Sequence, residues 1–181
     1  NLSVVGCAMS KQWGFTLVEV MVSIAVMAVI VAFAFPAMQL MQANSRMASV
    51  ANDLAADLKN ARSRAIVTRS NITFSANTGG WSNGWSASFQ VNQSDSSNQK
   101  VSVLVLEKLR LPAGISVTQS VTPLIFNGAT GRVADSSNAS VDVVFRVCDT
   151  KISKETGSNV LLNRFGRVLI QRHNDDSTCN Q

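Results

Sequence analysis

Between Phe15 and Phe35 the chain is apolar at 18 of 21 positions, interrupted only by Thr16, Glu19 and Ser23. Twenty-one helical residues rise about 31 Å, close to the hydrocarbon thickness of a bilayer. A run this long predicts one transmembrane helix, because a small domain rarely needs such a segment inside its core. Beyond Pro36 the pattern changes. Met47, Val50, Ala51, Leu54, Leu58, Ala61 and Ala65 recur at three- and four-residue steps, while Asn52, Asp53, Lys59, Asn60 and Arg62 fall mostly elsewhere around the axis. That spacing predicts an amphipathic continuation laid against a globular head. Acids at Asp53 and Asp57 and bases from Arg62 to Arg69 suit the helix dipole, so one helix is expected from about Phe15 to Thr68.

After Ser70 the period falls to two. Strands are predicted at Ile72–Ser75, Trp85–Val91, Val101–Leu106, Ile115–Thr118, Leu124–Phe126, Val141–Val147, Val160–Asn163 and Val168–Arg172. Short strands with short links indicate an antiparallel sheet or sandwich, and Asn77–Gly84 and Gln93–Asn98 are expected as polar loops. Trp81 and Trp85 are contact candidates by residue type alone. No internal repeat is apparent. The expected fold class is α+β: a long N-terminal helix, transmembrane and then amphipathic, packed on an antiparallel β-rich C-terminal head. The expected divisions are a leader over 1–14, a membrane helix over 15–35, its amphipathic continuation over 36–70 and a head over 71–181.

Composition sharpens this picture. A chain of 181 residues allows one ordinary domain, and setting the membrane run aside lowers its 46% hydrophobic content to about 41%. Sixteen Lys and Arg against eleven Asp and Glu give +5, a modest excess that suits a membrane surface or nucleic acid and compels neither. The apolar run reads as a retained membrane helix rather than a cleaved signal peptide. A short polar stretch with Lys11 precedes it, so the positive-inside rule keeps that end cytoplasmic and sends the C-terminal bulk across the inner membrane.

Gly14, Phe15, Thr16, Leu17, Val18 and Glu19 at the head of an apolar helix resemble the processing site of type IV prepilins and type II secretion pseudopilins. The resemblance implies cleavage between Gly14 and Phe15 by a prepilin peptidase/methyltransferase and methylation of the new Phe15 amine. Gly14, lacking a Cβ, offers an unhindered extended peptide to such an enzyme. A carboxylate at the centre of a membrane helix costs about 2.5–3.5 kcal/mol on insertion scales, and less near the helix start. The family assigns Glu19 a partner, the cationic Phe15 amine of a neighbouring subunit, which sets subunit stagger during assembly. The plainer reading is a carboxylate reaching the interface beside a helix N-terminus. Pro36, 21 residues after Phe15, stands where pilins often bend or open the helix during packing. Met9 is expected to be the true start, giving a six-residue leader and leaving residues 1–8 outside the precursor.

Phe126-Asn127-Gly128, Gly131-Arg132 and Gly166-Arg167 before the last strand resemble the GspH/FimT branch of that superfamily. The branch implies a non-enzymatic structural subunit, a minor type IV pilin that primes or joins a filament at the inner membrane. Its implied partners are the processing peptidase, other minor and major pilins, and the membrane. The alternatives are a minor pseudopilin of type II secretion and a DNA-uptake receptor displayed on a pilus. Removal of the leader leaves Cys148 and Cys179, an even pair in an oxidising periplasm, matching the late Cys-Asp and terminal Cys of the branch. Their disulfide would close a loop of thirty residues, worth about 3.5–4 kcal/mol by chain entropy.

Other chemistry has little support. One His, His173, with Asp175 and Asp176 offers no zinc shell, and Gly79-Gly80, Gly128 and Gly131 lack the Lys-Ser/Thr sequel of a phosphate loop. No cofactor, metal or small-molecule substrate is expected, and no catalytic residue. The DNA reading rests on a Gly-Arg-x-Arg-x-Arg motif of some branch members, where Leu169 and Gln171 replace the second and third Arg. Its contact residues would be Arg164, Arg167 and Arg172, with Lys151 and Lys154 adding charge.

Overall fold

The computed structural model describes residues 14–92, 100–150 and 157–172. The chain divides into two units, residues 1–39 and 40–181, and one helix, α1 (Leu17–Thr68), contributes to both. The expectations for the leader, for the loop Gln93–Asn98, for Lys151, Lys154, His173, Asp175 and Asp176, and for Cys179 lie outside the described residues.

In the first unit α1 is exposed along the whole of Leu17–Phe35, the span long and apolar enough to cross a membrane. Its three polar interruptions are absorbed near the helix start. Thr16 is the N-cap: its carbonyl accepts from the Val20 N–H at 3.3 Å, and its Oγ1 accepts from the Glu19 N–H at 3.3 Å. One of the orphan donors of the first turn is thereby satisfied. The Ser23 hydroxyl folds back onto the Glu19 carbonyl at 2.7 Å, which keeps it hydrogen-bonded without water. The backbone remains helical through Pro36.

In the second unit the predicted stripe is the core. Met47, Val50, Ala51, Leu54, Leu58, Ala61 and Ala65 are all buried, joined by Ala43 and Ala55. The small members of this face let strands approach the helix closely, while Leu54 and Leu58 fill the space between. Against it lie two antiparallel sheets. The first contains β1 (Ile72–Ala76), β2 (Gly84–Asn92), β3 (Lys100–Leu109), β5 (Leu124–Phe126) and β6 (Val133–Ala134), in the order β3-β2-β1-β5-β6. The second contains β4 (Ile115–Thr118), β7 (Val143–Asp149), β8 (Ser158–Leu162) and β9 (Val168–Arg172), in the order β4-β7-β8-β9.

Strand alternation decides what each sheet contributes. Ile72 and Phe74 of β1, Leu124 and Phe126 of β5, and Val143, Phe145 and Val147 of β7 point inward, with Val160 and Leu162 of β8. Trp81, in a short 3-10 turn at Trp81–Asn83, joins the sheets. It stacks on Phe74 at 6.1 Å and meets Phe145 edge-on at 5.2 Å. Both tryptophans named as contact candidates are therefore core residues. Trp85 is fully buried because β2 turns it toward α1, where its indole N–H donates to Asp57 Oδ2 at 2.8 Å. Residue type alone did not reveal this polar partner one layer below.

Polar anchors fix the helix against the sheets at intervals. Lys108 of β3 meets Asp53 at 2.8 Å. Asp149, its side chain buried at the end of β7, faces Arg46 at 3.6 Å. Asp53 and Asp57, expected to serve the helix dipole, thus hold the first sheet instead. Removing Asp57 leaves the indole N–H of the fully buried Trp85 without its partner, and an unpaired buried donor costs about 1–3 kcal/mol. Asp57→Ala is expected to lose that amount in thermal unfolding of the detergent-solubilised chain, against a smaller loss for Asp57→Asn, which still offers an oxygen.

Candidate functional site

Two regions carry the residues singled out by sequence: the start of α1 and the turns at its far end. At the start, Phe15 is 81% exposed, and Gly14 and Glu19 are exposed as well. A Cβ built on Gly14 meets nothing within 4 Å, so neither packing nor a left-handed backbone requires glycine there. Glu19 sits at the third helical position, within the first turn, where the helix dipole favours a carboxylate. Thr16 and Glu19 also have the spacing of a capping box, a helix-start signal that the apolar count alone does not bring out.

At the far end, α1 closes with a left-handed residue, Arg69 at φ 50°. Its N–H donates to Ile66 O at 3.4 Å, and the Ser70 N–H donates to Ala65 O at 3.2 Å, the paired bonds of a Schellman cap. Two turns pack over this cap. In the first, Asn127 Oδ1 accepts from the N–H groups of Ala129 and Thr130 at 2.9 and 3.0 Å, and the Gly131 N–H donates to Asn127 O at 2.8 Å. In the second, Asn163 Oδ1 accepts from the N–H groups of Phe165 and Arg167 at 3.1 and 2.8 Å, and the Gly166 N–H donates to Asn163 O at 2.8 Å. Both run from an Asn to a Gly-Arg pair, a local repetition the sequence reading missed because it spans only five or six residues.

Their glycines are contact points. A Cβ on Gly128 would overlap the backbone of Arg69 and Ser70, and one on Gly166 would overlap Arg62 and the Gly131 carbonyl. Arg62 threads between the turns, its Nε donating to Gly131 O at 3.0 Å. The Val133 N–H donates to Arg164 O at 2.9 Å, and the Arg132 guanidinium lies over the Phe165 ring at 5.2 Å. Gly128, Gly131 and Gly166 of this signature therefore let the two turns seat against the helix end.

The three arginines proposed as DNA contacts are not equivalent. Arg164 is committed to Asp142, its Nη2 donating to Oδ2 at 2.7 Å and its backbone N–H to Oδ1 at 2.6 Å. Arg167 is exposed in its turn, and Arg172 is exposed at the end of edge strand β9. The Arg164 side chain first, then its backbone N–H, hold the Asp142 carboxyl below its ordinary value of 3.8. Cys148 is buried near the end of β7 and is engaged rather than free. Among the described residues no group of three His, Cys, Asp or Glu could hold a metal ion.

Residues 50–166 match the family described as type II transport protein GspH, and residues 9–35 match the prokaryotic N-terminal methylation motif. No curated protein matches the sequence. Two crystal forms of the Pseudomonas aeruginosa (strain PAO1) type IV minor pilin FimU share the fold at 21% identity. One has a TM-score of 0.55 over 76% of this chain and 95% of FimU, the other 0.52 over 74% and 96%.

Two outcomes follow from these turns. Gly166→Ala combines a left-handed backbone with overlap onto Arg62 and is expected to cost about 2–4 kcal/mol, read by thermal unfolding. For the Asp142–Arg164 pair, the carboxyl is held low in the folded state, so its contribution is present above the ordinary carboxylate range. That contribution is lost as pH falls through the folded value. Asp142→Asn should lower stability slightly at neutral pH, the loss being small because the pair is solvent-exposed, and should converge on wild type below the folded value, which flattens the acid limb of the stability–pH profile.

Proposed function

The chain belongs to the family of the type II transport protein GspH, and on that premise we propose that it is a minor type IV pilin, a structural subunit of a filament assembled at the bacterial inner membrane. The observation that carries the proposal is the start of α1. A wholly exposed apolar helix follows a glycine that the fold itself does not need, and the stretch matches a methylation motif. The likeness of the head to a minor pilin supports the choice of filament.

In this reading a prepilin peptidase/methyltransferase cleaves after Gly14, and the inner membrane stores the subunit through Leu17–Phe35 with the head in the periplasm. Neighbouring minor and major pilins then replace lipid around the helix. Glu19, in the first turn, faces the methylated Phe15 amine of a neighbour, and Pro36 adapts the helix during packing. Cys148 joins Cys179, fastening the C-terminal tail to β7; the buried, engaged state of Cys148 supports this. The family description favours one second reading, a minor pseudopilin of type II secretion, which uses the same chemistry in a different machine.

The test is filament recovery. The chain in sheared pili is expected to begin at N-methylated Phe15 by N-terminal mass spectrometry. Glu19→Ala should be cleaved and membrane-held like wild type yet fall at least tenfold in the filament fraction. Equal recovery of the variant would remove the assembly role. Loss of secretion with intact pili in a deletion strain would favour the second reading. In the same spectra, the peptides of Cys148 and Cys179 should run as one species that separates on reduction, and two free thiols would exclude the bond.

A further inference from the structure

The far end of the globular unit carries an exposed surface that is both apolar and basic. Phe165 is 56% exposed and Ile66 is 42% exposed. Gly131 links them, since its Cβ position touches the Ile66 side chain and the next residue, Arg132, lies over the Phe165 ring. Around this apolar centre Arg69, Arg132 and Arg167 are exposed, and none of them forms an ion pair among the described residues.

We propose that this end, Phe165 and Ile66 rimmed by Arg69, Arg132 and Arg167, docks a neighbouring filament subunit that presents carboxylates around an apolar socket. The proposal rests on the filament reading above.

Three observations select a protein partner of that charge. An apolar centre with an arginine rim is the residue pattern of protein interfaces, in which aromatic and Arg side chains are enriched. Every cation named in the patch is arginine, whose planar fork matches a carboxylate through two hydrogen bonds. A nucleic acid is less well served. Asp142 neutralises Arg164 beside the patch, which removes one cation from any phosphate track.

Arg69 supplies an independent sign. The capping position it holds in a left-handed conformation is one where glycine is ordinarily preferred, and a side chain there is strained. The strain is understandable if the guanidinium acts outside the chain. Stability and docking then separate in a single substitution.

Full-length Arg69→Gly and Arg132→Ala/Arg167→Ala chains would be followed in sheared filaments and in thermal unfolding. Arg69→Gly should unfold at or above the wild-type temperature while its filament recovery drops at least threefold. The double variant should drop at least tenfold at an unchanged membrane level, with the corresponding Lys variants recovering only part of the loss. Wild-type recovery of both Ala and Gly variants overturns the surface. Absence of the wild-type chain from filaments overturns the filament reading itself, and the surface's role with it. A photo-crosslinking phenylalanine analogue at position 165 should yield an adduct with another filament subunit on a peptide carrying Asp or Glu. A nuclease-sensitive adduct would make the patch a nucleic-acid surface and refute the proposal.

Discussion

The globular unit depends on how closely strands and turns approach one face of α1. Ala43, Ala51, Ala55, Ala61 and Ala65 keep that face shallow, Gly128 meets the backbone at its far end with no side chain between, and Gly166 leaves room for the Arg62 side chain. Larger residues at these contacts would lift the sheets and leave voids around Leu54 and Leu58, where lost dispersion contacts are costly. Trp81 then closes the remaining gap by bridging Phe74 and Phe145. Backbone proximity comes first, and the aromatic packing follows from it.

Much of this was legible in the chain because periodicity and burial have the same cause. All seven stripe positions are buried, and Ile115–Thr118, Leu124–Phe126 and Val168–Arg172 are strands at the predicted limits. The two-residue strand β6 is absent from the sequence reading because Val133–Ala134 is too short to show a period of two. Exposure of polar and aromatic side chains was harder. Asp57 and Trp85 satisfy each other across layers, a pairing that no local pattern encodes. The candidate site divides in the same way. Gly14, Phe15 and Glu19 stand together in sequence and in space, whereas Arg164 was assigned to a ligand without sight of Asp142, 22 positions away.

The helix serves two apolar environments with two patterns. Leu17–Phe35 is apolar apart from Glu19 and Ser23 and is exposed throughout, so its stability as a helix must come from backbone hydrogen bonds and from whatever apolar medium surrounds it. Residues 43–65 are apolar on one side and are satisfied by the chain's own sheets. A filament subunit stored in lipid needs this arrangement: the first half must exchange one apolar neighbour for another, while the second must keep its partner throughout.

The cap at Thr16 carries a consequence for covalent chemistry at the residue before it. Because the ladder opens with Thr16 as acceptor, Phe15 lies outside the hydrogen-bonded turns. A methyl group on a Phe15 amine would therefore take no donor from the helix. The chemical state of that nitrogen and the register of the helix are decoupled, so chemistry at Phe15 would not require unwinding the apolar span Leu17–Phe35.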